Sequence, residues 1–182
     1  ISFLQQIGYL DNDCALLAGG KVLRHVQIEE IFVTEMMLSG VLEDLDPARL
    51  FGLLCAVNKE FGRDVHVRLR IKGEDLELIR KIERIRMDRV VRGMEQLTNT
   101  EVCWCPEMIP FGRMWAEGKT LPELLAQLES ASDVSGDLVG AFRRAKDLVG
   151  QLADVWVDEK ERVSALKKLL RDVSRDEVLV VD

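Results

Sequence analysis

The stretch Gly136-Asp-Leu-Val-Gly-Ala-Phe-Arg-Arg-Ala-Lys-Asp-Leu-Val-Gly-Gln-Leu152 decides how the rest of the chain is read. Wound at about 100° per residue, it places Leu138, Phe142, Ala145, Val149 and Leu152 in one apolar sector. Gly140, Arg143, Arg144, Asp147 and Gln151 fall on the opposite, polar face. A seam of this length and regularity belongs to a long helix packed against other helices, so the chain reads as mainly α, a helical bundle.

The same period recurs on either side of this stretch. The Ser130-Ala-Ser-Asp133 turn and Ser135 as a cap start the long helix, which should run to about Val157. A charged helix over 158–175 follows, leaving the apolar tail Val178 to Val181 to dock or fray. Upstream, Thr120-Leu-Pro-Glu123 is a capping box that opens a helix to about Glu129. Pro106 and Pro110 bracket the start of a helix that ends near Gly118. A long amphipathic helix is predicted from Glu74 to Leu97, broken by Thr98-Asn99-Thr100. Asp46-Pro47 is a helix start, because Asp accepts from free amides and Pro suits the first helical position. A further helix should span 26–39, with Gly40 as its terminator.

Two regions depart from helix. Val65, Val67, Leu69 and Ile71 alternate with His66, Arg68, Arg70 and Lys72, the period of a half-buried strand. At the N-terminus, helical residues 3–7 stop at Gly8. A turn at Asp11-Asn12-Asp13 and an extended Cys14–Ala18 ending at a Gly19-Gly20 turn then suggest a small β-hairpin.

Composition bounds the function. The chain has 182 residues, 47% hydrophobic and 31% charged, and no apolar run approaches the ~18 residues that span a bilayer. A formal charge of −7 argues against autonomous tight binding of nucleic acid, which depends on neutralising phosphates, but leaves room for a local basic face. The chain begins at Ile1, so it is expected to be a piece of something longer. Four cysteines without a repeating pair and no secretory leader point to a reducing, cytoplasmic setting.

Catalytic motifs are missing from the sequence. It contains no G-x-x-x-x-G-K-[ST] phosphate cradle, no H-E-x-x-H and no G-x-S-x-G elbow, so no catalytic residue is assigned. Cys103 and Cys105, at i and i+2, would face one side of an extended strand and are read as small hydrophobes rather than metal ligands. His25 and His66 are read as surface or structural histidines.

The polar face of the 136–152 helix is the best functional candidate. Arginine donates to phosphates and base edges and stacks on base planes, so Arg143 and Arg144 suit a passing single strand. Gly140 costs on the order of 1 kcal/mol of helix propensity against Ala, which closeness of approach would justify. The alternative is a solvated charged face, with the arginines paired to neighbours such as Asp147.

The runs Gly8-Tyr-Leu-Asp11, Gly20, Thr34-Glu-Met-Met-Leu-Ser-Gly40, Leu45-Asp-Pro47 and Leu53-Leu54 resemble the opening of a known helicase domain. It is the C-terminal domain of superkiller-type and exosome-cofactor helicases, superfamily 2 DExH-box RNA helicases, and the sequence is similar to its bacterial-like version. Trp115-Ala-Glu-Gly118, Leu121, Ser132-Asp-Val-Ser-Gly136 and Phe142-Arg-Arg144 through Leu148 match in the same order. The resemblance implies that residues 1–25, with the hairpin, are the end of a winged-helix domain and that residues 26–182 are the C-terminal bundle. It implies a channel wall along which a "ratchet" helix contacts unwound single-stranded RNA, with DNA left open. Arg144 falls at the principal arginine, Arg143 and Gln151 are its neighbours, and Glu60 is the nearest match to a contacting glutamate. No cofactor is implied in this chain; ATP and Mg²⁺ belong to a helicase core elsewhere in the polypeptide.

Against the family pattern, Gly140 stands where a longer side chain is common. The basic edge His66, Arg68, Arg70 and Lys72 falls where the family varies most, and a charged edge strand explains it as well as an RNA-binding ribbon does. Two other readings stay open. One is a helix-turn-helix DNA-binding module formed by 121–129 and 136–152; the other is a protein-interaction module.

Overall fold

The computed structural model describes residues 1–71, 73–175 and 178. Helices carry the architecture: α1 (Ser2–Gln6), α2 (Ala18–Leu23), α3 (Glu30–Leu38), α4 (Pro47–Ala56), α5 (Gly73–Arg86), α6 (Arg89–Thr98), α7 (Ile109–Ala116), α8 (Leu121–Leu125), α9 (Ser135–Val155) and α10 (Lys160–Val173). The chain is thus mainly α, as its periodicity requires. Strands β1 (His66–Val67) and β2 (Leu128–Glu129) pair antiparallel, with His66 opposite Glu129. Among the described residues no helix is long and apolar enough to cross a membrane.

Local chemistry sets most helix ends. The Asp46 carboxylate accepts from Arg49 N–H at 3.0 Å and Pro47 opens α4. Thr120 and Glu123 form the reciprocal capping box of α8. Gly40 and Gly118 take φ of +76° and +96°, the left-handed conformation that ends α3 and follows α7.

Several boundaries differ from the sequence expectation, each for an identifiable reason. The helix predicted over 26–39 starts only at Glu30, because Glu29 is left-handed at φ 48°. The single helix expected over 74–97 is two, since Asp88 accepts from Val90 N–H at 3.0 Å and restarts the chain as α6. Asp133, rather than Ser135, supplies the side-chain acceptor before α9, taking Ser135 N–H at 2.9 Å. The helix from Thr120 stops at Leu125, because Leu128 and Glu129 pair with β1. Residues 65–71 do alternate between half-buried and exposed, yet only two of them join the ladder, because β2 offers only two. Arg68 pairs with Glu129, while Lys72 lies outside the described residues.

At the N-terminus the expected hairpin is reduced to one antiparallel bridge, Leu10 to Leu16, closed over the Asp11 carboxylate. Gly19 and Gly20 do not form a turn but lie inside α2. A β-carbon on Gly19 would collide with the Tyr9 ring, so these glycines serve close packing. The Tyr9 hydroxyl donates to Glu35 on α3 at 2.6 Å, and burial holds its pKa well above the usual phenol range. Val178 is buried; Leu179 to Val181 of the expected apolar tail lie outside the described residues.

The core is built where α4, α7 and α9 meet. Phe142 of α9 stacks on Trp115 of α7 at 4.8 Å and 18° and approaches Phe51 of α4 at 6.2 Å. The Trp115 indole N–H donates to the Val173 carbonyl at the end of α10, which locks that helix to the same centre. Asp75, fully buried at the start of α5, receives Arg113 of α7 at 2.7 Å and faces Arg49 of α4 at 3.6 Å. A buried pair of this kind fixes relative placement, since losing one partner strands the other charge. These contacts hold α9 with its apolar seam inward and its polar face outward.

Candidate nucleic-acid interface

Leu138, Ala141, Phe142, Ala145, Leu148, Val149 and Leu152 are all fully buried, so the apolar sector predicted from the sequence is the packed side of α9. Opposite, Gly136, Gly140 and Gly150 have, among the described residues, nothing outside the helix's own backbone within 4 Å of where a β-carbon would stand. Intramolecular packing therefore does not account for an interior glycine at 140 or 150, although each weakens the helix.

Arg144 is exposed, and its Nη1 donates to the carbonyl of Asn58 at 3.3 Å, a backbone acceptor just past α4. A cation there also meets the partial negative charge at a helix C-terminus. Arg143 is half-buried on the neighbouring flank. Gln151 lies about two turns further along, where its Oε1 accepts from Gln27 N–H at 2.9 Å. Asp147 is exposed between them.

Glu60, also exposed, lies two residues past Asn58, the residue whose carbonyl receives Arg144. Glu60 and Arg144 both act on the thiol of Cys103. Burial, aided by the Glu60 and Glu29 carboxylates and opposed by Arg144, pushes that thiol up to about 12. Glu29 itself accepts from Cys103 N–H at 3.0 Å, and its carboxyl is held above the ordinary range chiefly by burial. Arg144 supplies donors and Glu60 acceptors of the kind that base edges pair with.

Two open grooves adjoin this centre. One, of about 530 Å³, is lined by Glu60, Phe61, Arg63, His66, Trp104 and Glu107 among others. The other, of about 500 Å³, is lined by Gln27, Ile28, Asp147, Gly150, Gln151 and Leu170 of α10 among others. Trp104 is held at the first by its indole N–H donating to Glu83 at 2.6 Å and by edge contact with Phe32.

Sequence reasoning did not find Asn58, Gln27, Glu29 or the Cys103–Trp104 segment at this site. None belongs to a motif, and each reaches α9 only through the fold. Cys105 is buried with its thiol raised to about 11, and among the described residues no group of three His, Cys, Asp or Glu side chains could hold a metal ion. Of the two histidines, His66 is exposed on β1 and His25 is half-buried, its Nε2 accepting from Arg24 Nε at 2.9 Å.

Comparison with known proteins gives the family. The chain is 27% identical over 186 residues to the DExH-box ATP-dependent RNA helicase DExH9 of Arabidopsis thaliana, covering 95% of the chain and 18% of that protein. It is 26% identical over 183 residues to mRNA transport homolog 4 of Caenorhabditis elegans, covering 93% of the chain and 17% of the relative. The chain therefore spans less than a fifth of the length of either relative. The model of the DSHCT (NUC185) domain matches residues 14–180, nearly the whole length, and the chain belongs to that family.

Proposed function

We propose that this chain is the C-terminal domain of an ATP-dependent DExH-box RNA helicase. Its helix α9 forms one wall of the path taken by the unwound strand. Arg144 grips successive bases, Arg143 and Gln151 extend the contact along the helix, and Glu60 accepts from base edges beside Arg144. ATP and Mg²⁺ chemistry belongs to a helicase core of the same polypeptide, and α9 turns the opening and closing of that core into strand movement. The strand is single-stranded RNA, with DNA the alternative, and the setting is cytoplasmic. On this reading residues 1–25 close a winged-helix domain and 26–182 form the bundle. Its bacterial-like character rests on the sequence resemblance alone, since both named relatives are eukaryotic.

The observation that carries the reading is the outer face of α9. Arg144 is exposed there and held on the Asn58 carbonyl, on a helix whose glycines leave open space that no described residue fills. The helix-turn-helix reading loses its first helix, because α8 has only five residues and β2 separates it from α9. The protein-interaction reading is tested by the same experiment. Arg144→Ala in the full-length parent should lower unwinding or processivity while nucleotide binding stays within about two-fold, the pattern of a lost strand contact. Normal expression with unchanged unwinding, and no strand-dependent crosslinks at Arg144 or Gln151, would mean that the face docks a protein instead.

A further inference from the structure

We infer that Asn58 is the positioning residue for Arg144, a role that rests on the strand-contact reading of that arginine. Asn58 is only 5% exposed, in a chain whose buried side chains are overwhelmingly apolar. Its Nδ2 donates to Leu54 O at 2.6 Å, one of the carbonyls that α4 leaves unpaired at its end, and lies 3.4 Å from Ala141 O on α9. Its own carbonyl accepts from Arg144 Nη1. One residue therefore ties the end of α4 to α9 one turn before Arg144 and presents the acceptor on which that guanidinium rests. The next residue reinforces the register, since Lys59 pairs with Asp137 at the start of α9 at 2.8 Å.

The energetics favour positioning over plain stabilisation. Asn58 Oδ1 is buried and accepts no hydrogen bond from any described residue. Leaving such an atom unpaired is costly, and an apolar residue of similar size would avoid that cost. What an apolar residue could not do is grip both helices and hold the 58 carbonyl toward Arg144. An arginine already held in one arrangement loses less freedom on meeting a base than one that is free to swing.

The test is a double-mutant cycle in the full-length parent protein, read as affinity for a single-stranded RNA oligonucleotide by fluorescence anisotropy at fixed salt. Asn58→Ala should weaken binding about 3- to 10-fold when Arg144 is present and by less than about 1.5-fold in the Arg144→Ala background. Should the alanine variant fail to fold, Asn58→Ser keeps a hydroxyl near Leu54 but is too short to reach Ala141, and the same non-additivity is expected. Equal losses in both backgrounds would overturn the inference, because a merely structural residue acts regardless of residue 144. No loss with Arg144 present would also overturn it. If Arg144→Ala alone leaves RNA affinity unchanged, the strand-contact reading itself fails and the positioning role falls with it.

Discussion

Gly112 of α7 lies directly against Gly52 of α4: a β-carbon on Gly112 would stand 2.7 Å from the Gly52 α-carbon and 2.7 Å from Cys55 Sγ. On the other side of the crossing, a β-carbon on Gly52 would meet the Ile109 carbonyl at 2.5 Å. The two helices touch backbone to backbone, and this contact sets how closely α4 and α7 approach one another.

Gly112→Ala should therefore destabilise the chain by about 1–3 kcal/mol, because the obstacle is backbone and cannot rotate away. Gly52→Ala should cost at least as much. Urea unfolding at constant m-value measures both.

Asp75→Ala removes the carboxylate shared by Arg113 and Arg49 and leaves the largely buried Arg113 without its partner. The expected cost is about 3–5 kcal/mol. Asp137→Ala, which breaks only the half-exposed pair with Lys59, should cost about 1 kcal/mol or less. Chemical denaturation of the two variants side by side checks the contrast.

Burial raises the Cys103 thiol to about 12 and the Cys105 thiol to about 11, from an ordinary value near 9. In that window the unfolded chain has already lost protons that the folded chain keeps, so stability falls as pH rises from about 9 toward 11–12. Well below pH 9, where the unfolded thiols are also protonated, these two thiols contribute no slope. Alkylation at pH 8 should modify the exposed Cys14 first and leave Cys103 and Cys105 largely protected until denaturant is added, which peptide mass spectrometry resolves.

Gly140→Ala places a methyl group in open space on α9. It should stabilise the chain by up to about 1 kcal/mol, seen as a higher midpoint of thermal unfolding. With the strand-contact reading, a much larger residue such as Gly140→Trp should keep that fold while impeding strand passage in the full-length protein, measured as slower unwinding.

The 182-residue chain alone, at net −7, should bind single-stranded RNA weakly and with affinity falling as salt rises, at a slope of about −0.7 per phosphate contacted. Titration at several salt concentrations measures the slope. Nanomolar affinity at physiological salt would show that the isolated domain carries more of the binding than a few arginines on one helix can supply.

Features that depend on neighbours within one or two turns are legible in the sequence. Asp46-Pro47 and the Thr120–Glu123 box work through hydrogen bonds three residues long, so their positions follow from the residues themselves. The apolar seam of α9 was readable because burial on a helix repeats with the helix's own period. The division of the 73–98 segment was harder to see, since apolar periodicity runs through it and the break turns on whether the Asp88 carboxylate takes a backbone amide. Gly19 and Gly20 misled for a related reason. A glycine pair signals equally a turn and a close approach, and only the Tyr9 ring lying on it decides which.

That the chain is a set of amphipathic helices, and which face of α9 stays in solvent, follows from the residues alone, because helix period and capping are local properties of the chain. What that face holds depends on the packing of distant segments. Arg144 meets the Asn58 carbonyl across 86 positions and Gln151 meets Gln27 across 124, while Glu60 and Arg144 both act on the Cys103 thiol. Such meetings depend on how closely helices pack. Here that was set at Gly52 and Gly112 and at Phe142 on Trp115, contacts whose partners lie too far apart in sequence for any periodicity to connect them.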